Sequence, residues 1–374
     1  MGELVDRVVR KNTNNESTLP LTISAQYGLV DQITYFNNRV ASRDVSNYYL
    51  VLNGEFAYNK STSDGYPFGA VKRLDLYEKG VLSTLYIVFV PKKEQQIDSD
   101  FLTVFFDTNR WHKGVAERAA EGARNHGLLN ISAEDFFDID LSVPKDVVEQ
   151  KQIGAFIRQL DDLITLHQRK YDKLQVLKKA MLEKMFPKNG SSVPEIRFKG
   201  FTDAWEQRKA KDLCSISTGK SNTQDRVDDG IYPFYVRSPI VEHSNRYLFD
   251  EEAVLTVGDG VGTGKVFHYV NGKYDLHQRV YRMFDFSEEI TAKYFYYYFS
   301  NHFYDRVMAM TAKTSVDSVR YEMIADMDIA LPKVKEQMAI SAYFDRLDHL
   351  ITLHQRELEK LQNIKKSMLE KMFV

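Results

Sequence analysis

Apolar residues recur at alternating steps of three and four along two long stretches of the chain, residues 149–187 and 336–374. This spacing is a heptad seam, which is typical of long helices that pack against each other. Pro187 ends the first helix, because proline cannot continue a helix. At about 1.5 Å per residue each helix would be roughly 50 Å long and would need a partner. We therefore predict that the two helices pair with each other in antiparallel orientation.

The two stretches are also copies of one sequence. They align without a gap at an offset of 187 residues, and 24 of 39 positions are identical. The segments in front of them match as well, with DIDLSVP at 138–144 and DMDIALP at 326–332. Further upstream, residues 52–89 and 249–284 share a pattern of a strand, a Gly-rich polar loop and further strands. The chain therefore contains two tandem units, each a β-rich domain followed by one long helix.

These patterns predict an α+β fold. Two β-rich domains are each followed by a long helix, and the helices form an antiparallel coiled coil with internal pseudo-twofold symmetry. The stretch PKNGSSVPEIRFKG at 187–200 has the Pro, Gly and Ser content of a domain boundary. The predicted divisions are 1–145 for the first domain, 146–187 for the first spacer helix, 188–207 for the linker and start of the second repeat, 208–333 for the second domain and 334–374 for the second spacer helix.

Composition narrows the possible functions. The net charge of the 374-residue chain is −2, so a nucleic-acid surface would have to be a local basic patch. The single cysteine, Cys214, excludes a disulfide within the chain and a metal site built from several cysteines. The sequence has neither an apolar signal core at its start nor a run of 18 apolar residues. We expect a cytoplasmic protein with no membrane partner.

The contrast between the domains and the helices indicates what the repeat is for. The two β-rich domains differ greatly in sequence, whereas the helices hardly differ. B-DNA presents equivalent major-groove faces about 34 Å apart along its axis. A rod of roughly 50 Å with a different reader at each end would suit two half-sites separated by a fixed gap. The first helix has an excess of lysine and arginine, which either touches phosphates or is a solvated coiled-coil face.

The loop VGDGVGTGK at 257–265 invites a comparison with phosphate-binding loops. Such a loop needs four residues between its first glycine and the Gly-Lys pair, followed by serine or threonine. Asp259 stands where the first glycine should be, and Val266 follows Lys265. The match fails, so the loop either approaches DNA with its backbone and Lys265 or is purely structural.

Two enzymatic alternatives and one metal site also lack support in the sequence. Asp140, Glu149 and Lys151 loosely resemble a nuclease set, but Met338 replaces the lysine in the second copy. A stand-alone methyltransferase needs a Pro-Pro motif that holds a flipped base, and the chain has no Pro-Pro pair. The seam histidines of the two helices lack further ligands nearby, so a structural polar pair is favoured over a metal. We expect no catalytic residue and no metal ligand in this chain.

Several motifs closely resemble the specificity subunits of Type I restriction–modification systems. They are the ITLHQR…MLEKMF helices, PEIRFKGFTDAWEQRK at 194–209 and the strand entry GTGKVF at 262–267. The resemblance covers essentially the whole chain. The first unit begins at MGEL, which corresponds to AKDL at 210–213, without a counterpart of residues 194–209 in front of it.

The resemblance implies a non-catalytic, DNA-binding subunit. Each β-rich domain would be a target-recognition domain that reads one half of a bipartite site in double-stranded DNA. The helices would set the gap between the half-sites and dock two methyltransferase subunits, and motor-nuclease restriction subunits would join the complex. S-adenosylmethionine, ATP and Mg²⁺ would bind to those partner subunits, and this chain would hold no cofactor. The alternative is a truncated or degenerate scaffold subunit that binds partners without recognising DNA.

Polar and basic residues in predicted turns are the candidates for DNA contact, because such side chains suit phosphates and base edges. In the first domain the candidates are Lys60, Ser61, Thr62, Arg124, Asn125 and His126. In the second domain they are Arg237, Ser238, Thr263, Lys265, Lys313, Thr314 and Ser315. The competing interpretation is that they are simply exposed turn residues.

Overall fold

Two compact units divide the chain, and each combines a globular part with parts of both long helices. The computed structural model describes residues 1–24, 27–94, 97–119, 127–188, 191–260, 262–311 and 318–373. Unit 1 comprises Met1–His167 and Glu357–Val374, and unit 2 comprises Gln168–Arg356. Both long helices, Val147–Lys184 and Val334–Met372, pass from one unit into the other. Each unit therefore holds one globular part and about half of each helix.

The elements of the first half of the chain are mostly short. The strands are β1 (Val5–Arg7), β2 (Leu21–Ser24), β3 (Gly28–Asp31), β4 (Tyr49–Leu52), β5 (Phe56–Asn59), β6 (Ala70–Arg73), β7 (Lys79–Leu82) and β8 (Ile87–Pro91). The helices are α1 (Gln32–Phe36), α2 (Ser99–Phe106), α3 (His112–Arg118), α4 (Ala133–Phe137) and the long α5 (Val147–Lys184).

The second half contains longer strands and a longer domain helix. The strands are β9 (Glu206–Lys209), β10 (Ser215–Thr218), β11 (Tyr232–Tyr235), β12 (Val241–Ser244), β13 (Phe249–Val257), β14 (Phe267–Leu276), β15 (Val280–Phe284) and β16 (Asp328–Leu331). The helices are α6 (Ala210–Leu213), α7 (Ala292–Ala309), α8 (Tyr321–Ala325) and the long α9 (Val334–Met372).

The main sheets of the two units share one strand arrangement. In unit 1 the order is β1-β8-β5-β6, and in unit 2 it is β10-β15-β13-β14 followed by β11 and β12. The four corresponding strands pair antiparallel in both units. The parallel β11–β14 pair extends the sheet in unit 2. The similar sequence patterns of residues 52–89 and 249–284 therefore correspond to the same strand arrangement in two separate sheets.

A buried glutamine joins each long helix to its domain at the same position of the repeat. Gln150 of α5 and Gln337 of α9 are almost fully inaccessible to solvent. Gln150 accepts the backbone N–H of Asp98 at 2.8 Å, and Gln337 accepts that of Thr291 at 2.9 Å. Asp98 and Thr291 are the N-caps of α2 and α7. Each glutamine also donates to a proline carbonyl just before its own helix, so it fixes the angle at which the helix leaves the domain.

The far end of each long helix also packs in an equivalent way. The last turn of α9 places Phe373 against Phe101 of α2 in unit 1, with ring centroids 5.5 Å apart. In unit 2, Phe186, which follows α5, packs 5.9 Å from Tyr294 of α7. Since the end of one helix and the start of the other meet the same domain helix, α5 and α9 run antiparallel within each unit.

Two ion pairs tie the helices together at positions related by the repeat. In unit 1 the Lys365 ammonium lies 2.6 Å from the carboxylate of Asp161. In unit 2 the Lys178 ammonium lies 2.5 Å from the carboxylate of Asp348. Adding the 187-residue offset to Asp161 and Lys178 gives Asp348 and Lys365, so one pair is the image of the other with the helices exchanged. The predicted α+β fold, with two β-rich domains each followed by a long helix and with the two helices antiparallel in each unit, is confirmed.

The stretch predicted as a linker is packed into unit 2. Arg197 forms two hydrogen bonds, of 2.6 and 2.7 Å, to the buried carboxylate of Glu336 in α9. Trp205 is buried beside Tyr294. Among the residues that the structure describes, no helix is long and apolar enough to cross a membrane. The same residues contain no group of three or more His, Cys, Asp or Glu side chains that could hold a metal ion.

Candidate functional site

The first-domain candidates follow strand β5, where the chain turns against residues 127–131. Lys60 reaches across with its ammonium to the carbonyl of Ile131 at 3.3 Å. Thr62 donates its hydroxyl to the carbonyl of Gly127 at 2.9 Å. Ser61 is the exposed member of the three. The remaining first-domain candidates, Arg124, Asn125 and His126, lie outside the described residues.

The second-domain candidate Arg237 belongs to a pair of arginines that share one carboxylate. Its guanidinium lies 3.5 Å from one oxygen of Asp259, and the guanidinium of Arg279 lies 3.7 Å from the other. The two arginine side chains are 48% and 65% exposed, whereas Asp259 is only 27% exposed. The carboxylate thus holds both guanidinium groups while their outer faces remain open to solvent. The sequence identified Arg237 but not Arg279.

The other described candidates lie in the glycine-rich loop and beside Arg237. Lys265 is exposed, and its ammonium stands 4.5 Å from the centre of the Tyr304 ring, a cation–π contact. Thr263 is buried and donates its hydroxyl to Gly260 within the same loop. Ser238 forms weak hydrogen bonds with Ile240. As DNA contacts all of these remain predictions, and Lys313, Thr314 and Ser315 lie outside the described residues.

A buried carboxylate at the end of β14 organises a second group of polar residues in unit 2. Asp275 is inaccessible to solvent and accepts hydrogen bonds from the Ser221 hydroxyl at 2.6 Å and from the Leu276 N–H at 2.8 Å. Arg246 donates to the Ser221 hydroxyl at 3.1 Å, and its Nε lies 3.7 Å from Asp275. A buried carboxylate costs several kcal/mol unless it is paired and hydrogen-bonded. The guanidinium is therefore held at a defined place beside this carboxylate.

The same group continues to two side-chain amides, those of the half-buried Asn222 and the exposed Gln278. Asp225 accepts a hydrogen bond from Arg246 and another from the backbone N–H of Asn222, both at 2.8 Å. The side chain of Gln278 donates to the Asn222 side chain at 2.5 Å. These residues were not predicted from the sequence, although the polar runs KSNTQDR at 220–226 and HQR at 277–279 both interrupt strand patterns.

His277 lies close to Arg279 in the chain and accepts a hydrogen bond from its backbone. It is buried, and its Nδ1 accepts the backbone N–H of Arg279 at 3.0 Å. Burial, reinforced by the nearby positive charge of Arg237, lowers the pKa of His277 below its ordinary value. The imidazole is therefore uncharged at neutral pH and acts as an acceptor that shapes the 277–279 turn.

Together these residues form a local surface of guanidinium and amide groups, in which Asp225, Asp259 and Asp275 balance the charge of three arginines. We call it the arginine surface and define it by the five residues Arg237, Arg246, Arg279, Asn222 and Gln278. All three arginines are about half exposed or more. Guanidinium groups suit phosphate oxygens, and amide groups suit base edges. The arrangement can bind a polyanion and read hydrogen-bonding groups next to it.

A duplicated apolar feature lies on the long helices. Leu163 and Leu166 of α5 are 43% and 45% exposed, and their counterparts Leu350 and Leu353 of α9 are 39% and 44% exposed. Residues three apart share a helix face, so each unit presents one leucine pair to solvent. The repeat therefore presents the same exposed leucine pair on both long helices.

The comparisons with known proteins agree on one family. Residues 202–363 match the family model described as the Type I restriction modification DNA specificity domain. The specificity subunit of the Type I restriction enzyme MjaVIII from Methanocaldococcus jannaschii is 24% identical over an alignment of 365 positions, which covers 90% of this chain and 82% of that protein. The EcoDI specificity subunit from Escherichia coli is 28% identical over 163 residues, which are 43% of this chain and 35% of that protein.

The fold agrees with this assignment. The crystal structure of a Type I restriction–modification S subunit from M. genitalium matches all of this chain and 94% of its own length, with a TM-score of 0.69 and 12% identity. At that identity the likeness concerns the fold alone. Residues 202–363 match the specificity-domain family, and the motifs and relatives extend the similarity to the rest of the chain. The chain as a whole is similar to the DNA-specificity subunits of Type I restriction–modification systems.

Proposed function

We propose that this chain selects the DNA sequence on which a Type I restriction–modification complex acts. Each β-rich domain reads one half of a bipartite site, and the long helices set the gap between the halves. The observation that carries the proposal is one sheet arrangement built twice with different loops, joined by nearly identical helices. The arginine surface in unit 2 supports it, since it offers phosphate-binding and base-reading groups side by side.

The leucine pairs support the docking of two copies of one partner. A methyltransferase subunit that covers Leu163 and Leu166 in unit 1 would find the same residues, Leu350 and Leu353, in unit 2. We therefore assign one methyltransferase subunit to each leucine pair. The motor-nuclease restriction subunits join this assembly as further partners.

Chemistry belongs to the partner subunits in this proposal. S-adenosylmethionine serves the methyltransferase subunits, and ATP and Mg²⁺ serve the restriction subunits. This chain contributes recognition and geometry, and it binds no cofactor of its own. Its side chains fit that role, because the arginines donate hydrogen bonds and the amides both donate and accept them.

The test is to produce the chain with a methyltransferase subunit from the same host and to map methylated adenines on genomic DNA by long-read sequencing. We expect methylation at a single split motif with a fixed gap, and none from the chain alone. A complex that assembles but methylates no defined motif would favour the scaffold alternative. Methylation by the isolated chain would contradict the assignment of chemistry to the partners.

A further inference from the structure

The side-chain amide of Gln278 has a fixed orientation in unit 2. Its nitrogen Nε2 donates to Oδ1 of Asn222 at 2.5 Å. The Asn222 side chain also accepts the backbone N–H of Asp225, while the Asp225 carboxylate accepts the N–H of Asn222, forming a capping box. Because an amide oxygen can only accept hydrogen bonds, Gln278 must turn its NH₂ group, and not its oxygen, toward Asn222.

This orientation leaves a defined edge of Gln278 facing outward. One N–H of its Nε2 and the oxygen Oε1 lie side by side, and Gln278 is exposed. Within the described ranges, no hydrogen bond to another protein group uses Oε1. The free edge is thus one donor next to one acceptor. In the major groove adenine presents an acceptor, N7, next to a donor, the N6 amino group, whereas guanine presents two acceptors.

We propose that Gln278 reads an adenine in the half-site bound by unit 2 and that Asn222 is the residue that positions it. The inference rests on the proposed function, because it requires DNA to lie on the arginine surface. The exposed edge of Gln278 is complementary to adenine and mismatched to guanine, so the contact both strengthens DNA binding and selects the base.

The surroundings of Gln278 support a DNA contact at this point. Arg279 follows it directly and is 65% exposed, which places a cation beside the amide for the phosphate backbone. On the other side Asp225 links Asn222 to Arg246 through its carboxylate. Arg246 is held in turn near the buried Asp275, whose Oδ2 has no hydrogen-bond partner among the described residues. Burying the Asp275 carboxylate costs free energy. That cost is explained if the carboxylate holds Arg246 and the Asn222–Gln278 pair in the positions that bind a ligand.

The experiment compares methylation motifs of complexes containing wild-type chain, Gln278→Ala or Gln278→Glu. In Gln278→Ala one adenine position of one half-site should lose its preference by about 5- to 150-fold, the effect of a lost bidentate base contact. The other half-site and the gap should stay as they are. Gln278→Glu keeps the size of the side chain but replaces the donor by an acceptor, so the same position should relax or shift toward cytosine.

Gln207→Ala is the matched control, because Gln207 is an exposed glutamine on β9, outside the six-stranded sheet. It should leave the motif unchanged. An unchanged motif in Gln278→Ala would overturn the inference, and so would a uniform loss of methylation at all sequences, which indicates a phosphate contact. A wild-type complex that methylates no defined motif would overturn the proposed function itself and the inference with it.

Discussion

At the scale of single residues, Lys265 is the sequence-predicted candidate whose geometry best suits a DNA contact. Its ammonium is exposed and is held over the Tyr304 ring, so little side-chain freedom is lost on binding. We expect Lys265→Ala to weaken DNA binding of the assembled complex by about 1–3 kcal/mol without unfolding unit 2. Titration of labelled DNA, with fluorescence anisotropy as the readout, measures this.

Lys335→Ala provides the control for a lost positive charge, because Lys335 is an exposed lysine in the first turn of α9. Its affinity for DNA should match the wild type. Equal affinities for the wild type and Lys265→Ala, measured at the same salt concentration, would reject Lys265 as a contact. Salt must be held fixed, since phosphate contacts weaken steeply as it rises.

Some candidate DNA-contact residues could be predicted from the sequence and others could not. The difference lies in how the fold brings them together. Lys265 lies in a glycine-rich loop, and local composition marks it. Asn222, Arg246 and Gln278 are far apart in the chain and meet only because residues 219–222 run alongside the end of β14. No local pattern encodes that meeting. Arg279 was within reach of sequence reasoning, because the polar HQR run sits between two strand patterns.

At the scale of elements, the buried glutamines are the joints between domain and helix. Gln337 accepts one hydrogen bond and donates to two carbonyls, those of Glu289 and Pro332. Gln337→Ala would leave the Thr291 N–H and both carbonyls without these partners. An unsatisfied group costs about 1–3 kcal/mol when it is fully buried, and two of these three hydrogen bonds are only partly buried. We therefore expect a loss of roughly 2–4 kcal/mol in the unfolding free energy of unit 2. Hydrogen exchange of α7 and β16 measures the loss locally.

Gln362→Ala is the matched control, because Gln362 is an exposed glutamine farther along the same helix. Its exchange rates in α7 should stay near those of the wild type. Unchanged protection in Gln337→Ala would mean that the glutamine is not the joint. The repeat predicts the same behaviour for Gln150→Ala in unit 1, reported by α2.

A charge reversal between the units shows that the repeat conserves contacts more closely than residues. In unit 1, Arg158 of α5 pairs with Asp100 of α2. In unit 2, Asp345 of α9 pairs with Lys293 of α7. Asp345 is the counterpart of Arg158, so both partners have exchanged sign while the ion pair remains. The alignment of the long helices shows that Arg158 corresponds to Asp345. Only the structure shows that Asp100 corresponds to Lys293, because the sequences of α2 and α7 have diverged.

At the scale of the whole molecule, the sequence determined the architecture well because the repeat is long and its period is clear. The heptad seams and the duplicated helix predicted the antiparallel pairing, which the two related ion pairs confirm. The two compact units, by contrast, could not be predicted from the sequence pattern. Each unit contains about half of each long helix, because the start of one helix and the end of the other pack against the same domain.

This arrangement makes the gap between half-sites a property of helix length. Inserting one heptad after Leu174 and another after Leu361 keeps the seam in phase and adds about 10 Å of helix. Leu174 lies between Asp161 and Lys178, and Leu361 lies between their respective ion-pair partners, so both pairs can stay in register. We expect the variant to methylate the same two half-sites with a wider gap, because one added base pair takes up about 3.4 Å. Mapping methylated adenines on genomic DNA measures the width of the gap.

A single-heptad insertion after Leu174 alone should instead break one ion pair and lower stability. Altered half-sites with an unchanged gap would mean that the helices do not act as the spacer.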